Sequence, residues 1–448
     1  MLPEVESLRT RGSLVRVPHG ADIPLSPRVR RLIDTAAMRR LASISQLGMV
    51  SLVYPGATHG RLEHSLGVYG NALQLLARFS ADDAFRSLVD PVAAEALVLA
   101  SLLHDVGHWP FCHPIEDMRL AGLGSHESRL ARWLADPEIA DCLSADWSAS
   151  PASVLAVLGE GHAEDLAEAT SIFLHSCLSG PIDVDKLDYL QRDSLHAGVP
   201  YGCHFDAGRL ISSLCVHPSA PRLAVGEKGR TAAEMMVFAR YVMFSEVYWH
   251  HTVRAATSML QRAIFMLRDR FDLAGSLDWV DAPWVTHFRD AAAGTEAERL
   301  AEGLFGPRRL IYKRVAEFGI QDNAELHRRL ARRPYWWLVA CAEALSEELA
   351  DRLPLDWRPG DLLIDAPPIQ LEVDIDVDVV ARDGRVRGLG DVSPVASVLA
   401  REQFDNQVKR VRVFVRGSHR EAFVGANRGR GLEEALVRAI DRLENQMA

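Results

Sequence analysis

Ala93 to Leu103 is almost wholly apolar and contains neither Gly nor Pro, which predicts a helix buried on all sides. It runs directly into His104-Asp105. Gly107 and Pro110 then stop it, and two more histidines follow at His108 and His113. An imidazole beside a carboxylate at the end of a buried helix is costly unless something compensates, and a metal ion is the commonest compensation for that pair. The stretch Leu99 to His113, LASLLHDVGHWPFCH, therefore constrains the chain more than any other. Whatever fold forms must bring further ligands to it.

A His-Asp dipeptide alone arises by accident, so the test is whether other donors lie within reach. Upstream, Arg61-Leu62-Glu63-His64-Ser65 opens a segment whose Leu62, Leu66, Tyr69, Leu73 and Leu76 recur at helical spacing, which leaves His64 on a different side. Downstream, the breaker Gly180-Pro181 precedes Asp183-Val184-Asp185-Lys186. At helical spacing, Asp185, Lys186, Tyr189 and Asp193 fall within an arc of about 100° on one helix. Two imidazoles and two carboxylates offer nitrogen and oxygen ligands suited to Mn, Fe or Zn. Arg61, Lys186 and Arg240 would add a cationic wall that suits a polyphosphate.

At 448 residues the chain can bury a large core and is expected to hold two domains. Its formal charge of −10 disfavours a general nucleic-acid surface while allowing a local basic pocket. No apolar run reaches membrane-spanning length without charges, and the opening MLPEVESLRTRGS lacks the apolar segment of a signal peptide. A cytoplasmic location away from membranes is the expectation. The cysteines are scattered without a Cys-x-x-Cys, which fits free thiols.

Leu14 to Leu25 reads as a short extended lead-in, and Pro27 to Gln46 as a helix carrying Arg28, Arg30, Arg31, Arg39 and Arg40. Those arginines fit either a solvated face or an oligomer or nucleotide contact. Ser125 reads as an N-cap before His126-Glu127. Thr231 to Phe271 predicts one long helix, or two, with a polar strip that includes Arg240, His250, His251 and Arg254. Beyond Gly306, Arg309–Val315, Asp361–Asp365, Leu371–Val379 and Val411–Val415 are β-rich, and Leu432–Leu443 is an amphipathic closing helix. The expected architecture is mainly α, a helical domain over 1–306 followed by a smaller α+β domain over 307–448.

His64, His104-Asp105 and Asp185 together resemble the H…HD…D signature of the HD-domain phosphohydrolases. The words around them, Pro55-Gly56-Ala57-Thr58-His59, Arg61 to Val68, HDVGHWPFCH and Asp183 to Lys186 with Tyr189 and Asp193, are similar to one branch of that family. The branch holds bacterial deoxynucleoside triphosphate triphosphohydrolases and a vertebrate enzyme that joins a sterile-alpha-motif to its HD domain; no such motif is detected here.

The resemblance implies that His64, His104, Asp105 and Asp185 hold the metal and that His108, His113 and His126 surround the α-phosphate. Either His126 or His113 would protonate the departing 5′ oxygen, with Glu127 orienting a histidine. Arg61, Lys186, Tyr189 and Arg240 match phosphate-holding positions, Gln46, Leu47 and Asp193 match sugar contacts, and Tyr248 matches a ring that crowds the ribose 2′ position. The implied reaction converts a dNTP to deoxynucleoside and inorganic triphosphate in a homo-oligomer, a dimer or tetramer, with Mg allowed on the substrate phosphates. Plainer readings stand beside these: His113 and His126 also fit capping or core histidines, and Tyr248 fits ordinary packing.

Departures from the pattern bear on regulation. In the vertebrate enzyme a glutamine and an arginine read an activating guanine nucleotide, and the matching positions here are Arg39 and Ala42, although Asp34 is kept. The opening Asp-Pro-x-His-Gly of relatives is altered to Arg16-Val17-Pro18-His19-Gly20. Constitutive activity, or an allosteric nucleotide other than the guanine one, is expected. Two other classes stay open: an HD-type phosphoesterase acting on another nucleotide or a nucleic-acid end, and a nucleotide- or single-strand-binding regulatory protein.

Overall fold

The apolar run forms the Pro91–Leu103 helix, with Pro91 in its first turn and Asp90 Oδ1 accepting the Ala93 N–H at 2.8 Å as N-cap. It is buried along nearly its whole length and packs against the Arg61–Phe79 helix, which is itself buried around most of its circumference. On another side of Arg61–Phe79 lies the Val184–Ala197 helix. Asp183 caps it by accepting the Lys186 N–H at 2.6 Å, and Gly198, at φ 69°, closes it in the left-handed conformation. Three helices from distant parts of the chain thus carry the histidines and carboxylates to one place. This computed structural model describes residues 2–10, 12–18, 22–367, 376–399, 408, 410–423 and 428–447.

The lead-in forms a small ladder, Leu14–Val15 against Ile23–Pro24; His19 and Gly20 of the altered opening lie outside the described residues. Pro27 to Gln46 is two helices rather than one, Pro27–Ile33 and Ala36–Leu41, because Thr35 Oγ1 accepts the Met38 N–H and starts the second. Arg28 and Arg40 follow neither sequence alternative, since their partners lie within the chain, and Arg31, on the solvated face, pairs within the chain too. Arg28 pairs with Glu4 at 2.7 Å and Glu95 at 2.6 Å, and Arg31 pairs with Asp146 at 2.8 Å. Arg40 donates to the carbonyls of Val106 at 2.6 Å and His108 at 2.9 Å, bracing the turn after His104-Asp105.

Thr231 to Phe271 is two helices, Arg230–Met243 and His251–Met266, joined by the π-helical turn Phe244–Tyr248. Ser125 Oγ accepts the Ser128 N–H at 3.4 Å and so heads only the short 3-10 turn Glu127–Arg129.

Two sheets lie among the described residues outside the lead-in. One places Val411–Val415 between Lys313–Phe318 and Leu362–Asp365, antiparallel to both. With the helices Tyr335–Ala350 and Arg428–Met447 it closes a second core around Leu345, Val413 and Leu436. The other runs Leu214–Val216, Leu223–Gly226, Asp378–Val380 and Val386–Gly388, parallel only between Leu223–Gly226 and Asp378–Val380. Val377 and Val379 bury in the main core, and the earlier part of the expected Leu371–Val379 strand falls at 371–375, outside the described residues. The fold is mainly α with a smaller α+β portion, as expected. Among the described residues no helix is long and apolar enough to cross a membrane, and the cysteines are unpaired.

Candidate metal centre

His64 stands in the first turn of the Arg61–Phe79 helix, His104 at the C-cap of Pro91–Leu103, and Asp185 in the first turn of Val184–Ala197. Their donor atoms converge. His64 Nε2 lies 3.2 Å from His104 Nε2 and 3.0 Å from Asp185 Oδ1, and His104 Nε2 lies 3.5 Å from Asp105 Oδ1 and 3.8 Å from Asp185 Oδ1. The other nitrogen of each ring is already engaged, His64 Nδ1 with Asp188 Oδ2 at 2.8 Å and His104 Nδ1 with the Ser101 carbonyl at 3.0 Å. With Nδ1 carrying the proton in both rings, two lone-pair nitrogens face each other with carboxylates alongside, a grouping stabilised by a cation among them. Burial opposes charge on His64, yet Asp185 and Asp188 outweigh it and raise its pKa to about 10, so the pocket favours positive charge. Two imidazoles and two carboxylates fit a borderline divalent ion.

The supports behind these ligands are ones the sequence reading passed over. Asp188 is gripped by Arg192, Nε to Oδ2 at 2.8 Å and Nη2 to Oδ1 at 2.6 Å. Arg192 is 1% exposed and also donates to Glu63 at 2.7 Å, whose carboxylate pairs with His196 at 2.8 Å. A Cβ on Gly67 would fall 1.8 Å from Asp188 Oδ1, so the Asp188–Arg192 pair needs glycine there to lie against the helix. Arg61 Nη1 donates to Asp105 Oδ2 at 2.9 Å. Asp188 and Arg192 had a signal, since they sit four apart on the helix that carries Asp185; Arg40 had none.

Beside this centre three histidine rings cluster. His108 lies 3.8 Å from His126 between centroids, and His113 stands edge-on to both. Glu116, also missed, ties two of them together. Its Oε1 accepts the His126 N–H at 2.7 Å and pairs with His126 Nδ1 at 2.9 Å, while Oε2 lies 3.4 Å from His113 Nδ1. Glu127, the expected orienting residue, is 3.2 Å from His126 Nε2. Burial opposes charge on His126, but Glu116 outweighs it and raises the pKa, whereas burial and then Arg61 hold His108 well below the usual histidine range. Gly107 permits the approach, because a Cβ there would meet the His126 carbonyl at 2.2 Å.

A cavity of ≈ 430 Å³ opens next to the cluster, and its walls include Gln46, Leu47, Arg61, His113, Tyr189, Asp193 and Tyr248. Asp193 sits between Tyr248 Oη at 2.7 Å and His59 Nε2 at 2.9 Å. Gln46 Oε1 and Arg61 Nε are buried with no hydrogen-bond partner among the described residues. Lys186 and Arg240 stand outside this wall. Lys186 Nζ pairs with Asp183 at 2.7 Å, and the Arg240 guanidinium lies 5.9 Å from the Phe244 ring centroid. The cationic wall is therefore weaker than expected, since Arg61 and Lys186 each already face a carboxylate of this chain.

A family model described as HD domain matches residues 61–141, and one described as HD associated region matches residues 205–432. The chain is 29% identical over 382 residues to a Methanocaldococcus jannaschii protein, covering 84% of this chain and 74% of that one. It is 33% identical over 248 residues to YwfO of Bacillus subtilis, covering 54% of this chain and 52% of the relative, so that match spans about half of each. It is 23% identical over 436 residues to the deoxynucleoside triphosphate triphosphohydrolase SAMHD1 of Bos taurus, covering 86% of this chain and 68% of that one. Among solved structures, a hypothetical protein from Aquifex aeolicus superposes with a TM-score of 0.67 at 27% identity, covering 90% of this chain and 96% of that one.

Proposed function

The chain belongs to the HD-domain family, with an HD-associated region following its HD domain, and from that premise we propose that it hydrolyses deoxynucleoside triphosphates to deoxynucleoside and inorganic triphosphate. The observation that carries this reading is that one guanidinium serves two places: Arg61 is hydrogen-bonded to Asp105 of the candidate metal centre and also lines the adjoining cavity. A phosphate bound there would lie between the centre and a pocket of nucleoside size. The bovine relative's name carries the same activity.

A divalent ion held by His64, His104, Asp105 and Asp185 would supply Lewis acidity and an activated water. The chain's own groups do the rest. Arg61, which lines the cavity, offsets the charge that develops on the phosphate oxygens, with Lys186 and Arg240 set farther back. His126, kept toward its protonated form by Glu116, gives its proton to the 5′ oxygen as the bond to the α-phosphorus breaks. Tyr248 and Asp193, joined at 2.7 Å on the cavity wall, would seat the sugar, with the Tyr248 ring crowding its 2′ position. Gln46 and Leu47 contact the same sugar.

One observation favours a second reading. Because Arg61 and Lys186 are each paired within the chain, the pocket carries less free positive charge than a triphosphate calls for. An HD-type phosphoesterase acting on a shorter phosphate ester would suit that balance. Incubating the metal-loaded protein with each dNTP and NTP and identifying the products separates the two, since only the first reading yields intact inorganic triphosphate. Arg39 and Asp34 are exposed, which is compatible with constitutive activity or a nucleotide activator other than the guanine one. GTP dependence that vanishes in Arg39→Ala would contradict it.

A further inference from the structure

We propose a second cation site in this protein, formed by His108, Cys112, His113 and His126 and suited to a thiophilic divalent ion such as Zn²⁺. Each of these residues offers a ligand atom, and the atoms all lie within 4.8 Å of one another. A tetrahedral zinc site with these donors spaces them by roughly 3.3–3.7 Å, from bond lengths near 2.0–2.3 Å. Closing from within 4.8 Å to that spacing asks for at most about 1.5 Å. It can come from His113, whose side chain is 60% exposed.

The orientation of the rings is the second observation. His108 Nδ1 lies 3.2 Å from the Asp105 carbonyl, while its Nε2 is buried with no hydrogen-bond partner among the described residues. The ring is 2% exposed, so a lone-pair nitrogen there has neither water nor protein to satisfy it. His113 and His126 are also held through Nδ1, both by Glu116, which directs their Nε2 atoms away from it, that of His126 lying 3.2 Å from Glu127, whose side chain is 46% exposed. Carboxylate and carbonyl acceptors fixing the far nitrogen are what orient metal-ligating histidines. Cys112, 2% exposed, adds a soft donor that none of the first centre's residues has. Asp105, Glu116 and Glu127 surround the group, and Arg61 is the opposing charge.

An ion in this site would take up the histidines assigned above to the α-phosphate and to proton transfer. Zinc would therefore compete with substrate, a consequence that rests on the hydrolase reading, whereas the binding itself does not.

The test uses Co²⁺ as a spectroscopic probe. The full chain carrying His104→Ala and Asp185→Ala, which disables the first centre, should bind one equivalent of Co²⁺ with a thiolate-to-cobalt charge-transfer band in the near ultraviolet. Adding Cys112→Ser should abolish the band. Should the double variant fold poorly, wild type serves: two equivalents and the band are expected, with Cys112→Ser losing the band and weakening one equivalent at least tenfold. Co²⁺ binding without a thiolate band in wild type overturns the site. In turnover assays Zn²⁺ should raise KM with kcat little changed, and Cys112→Ser should need at least tenfold more Zn²⁺ for the same effect. A thiolate band without such inhibition leaves the site standing and refutes the competition; no turnover on any nucleotide refutes the hydrolase reading alone.

Discussion

Asp188 accepts from His64 Nδ1 at 2.8 Å and is held from behind by both arms of Arg192. The pair fixes which nitrogen of His64 faces Asp185 and His104, so a residue that never reaches the candidate centre decides the geometry of one that does. Replacing Asp188 by Asn should weaken divalent-metal affinity by about 10- to 100-fold and also lower the thermal transition, because Arg192 keeps only Glu63 as a charged partner. Metal titration followed by calorimetry measures it, and unchanged affinity would remove Asp188 from the account.

Gly67 should be as sensitive. In Gly67→Ala the added carbon would meet Asp188 Oδ1 and Arg192 Nη2, neither of which is a loose chain end. The expected outcome is a loss of metal affinity comparable to Asp188→Asn together with lower stability in urea. A fully stable, fully metal-competent Gly67→Ala would show that the two helices can part at no cost.

The proposed proton donor, His126, carries a pH prediction. Burial opposes charge on His126, but the Glu116 hydrogen bond and charge, with Glu127 and Asp105 behind them, together raise its pKa. A general acid works while protonated, so activity falls as pH rises through its pKa. Glu116→Gln removes the carboxylate that raises it, and the alkaline limb of kcat/KM should move to lower pH with the acidic side spared. His126→Ala should lower kcat by about 100- to 10,000-fold. An alkaline limb that stays in place in Glu116→Gln would remove His126 as the donor.

The convergence of His64, His104, Asp105 and Asp185 was legible because these residues stand in short words whose spacing survives in one dimension. The helices that carry them were legible from apolar period and breakers. The supports were legible only in part: Asp188 and Arg192 share a helix face with Asp185, whereas Glu116, though close in sequence to His113 and His126, stands in no motif, and Arg28, Arg31 and Arg40 look like surface arginines until their partners Glu4, Glu95, Asp146 and two carbonyls are in place. Thr35 is a cap residue by type, but nothing in the local apolar period marks it as a break within Pro27 to Gln46. The parallel pairing of Asp378–Val380 with Leu223–Gly226 joins strands far apart in the chain, which no local pattern encodes.

The small α+β portion is pinned to the cavity by Arg254 and Asp365, a buried bidentate pair at 3.1 and 2.6 Å. Arg254 also lies 4.3 Å from the ring centroid of Trp249, and both line the cavity. Asp365→Ala strands a buried guanidinium and should cost about 3–5 kcal/mol in denaturant unfolding. A loss below about 1 kcal/mol would show that Arg254 finds another partner or water.

Tyr248 should govern the sugar. Tyr248→Ala is expected to raise the ratio of ribonucleotide to deoxyribonucleotide turnover by at least tenfold, whereas Tyr248→Phe, which keeps the ring, should raise it less. Equal turnover of both sugars by the unaltered protein would remove this role from Tyr248 and Gln46.

The most direct measurement is to follow a dNTP labelled on its γ-phosphate through the metal-loaded protein and identify what carries the label. Intact inorganic triphosphate beside free deoxynucleoside, lost in His64→Ala and Asp185→Ala, is the predicted result. Labelled pyrophosphate or orthophosphate, or turnover that survives those substitutions, would contradict it.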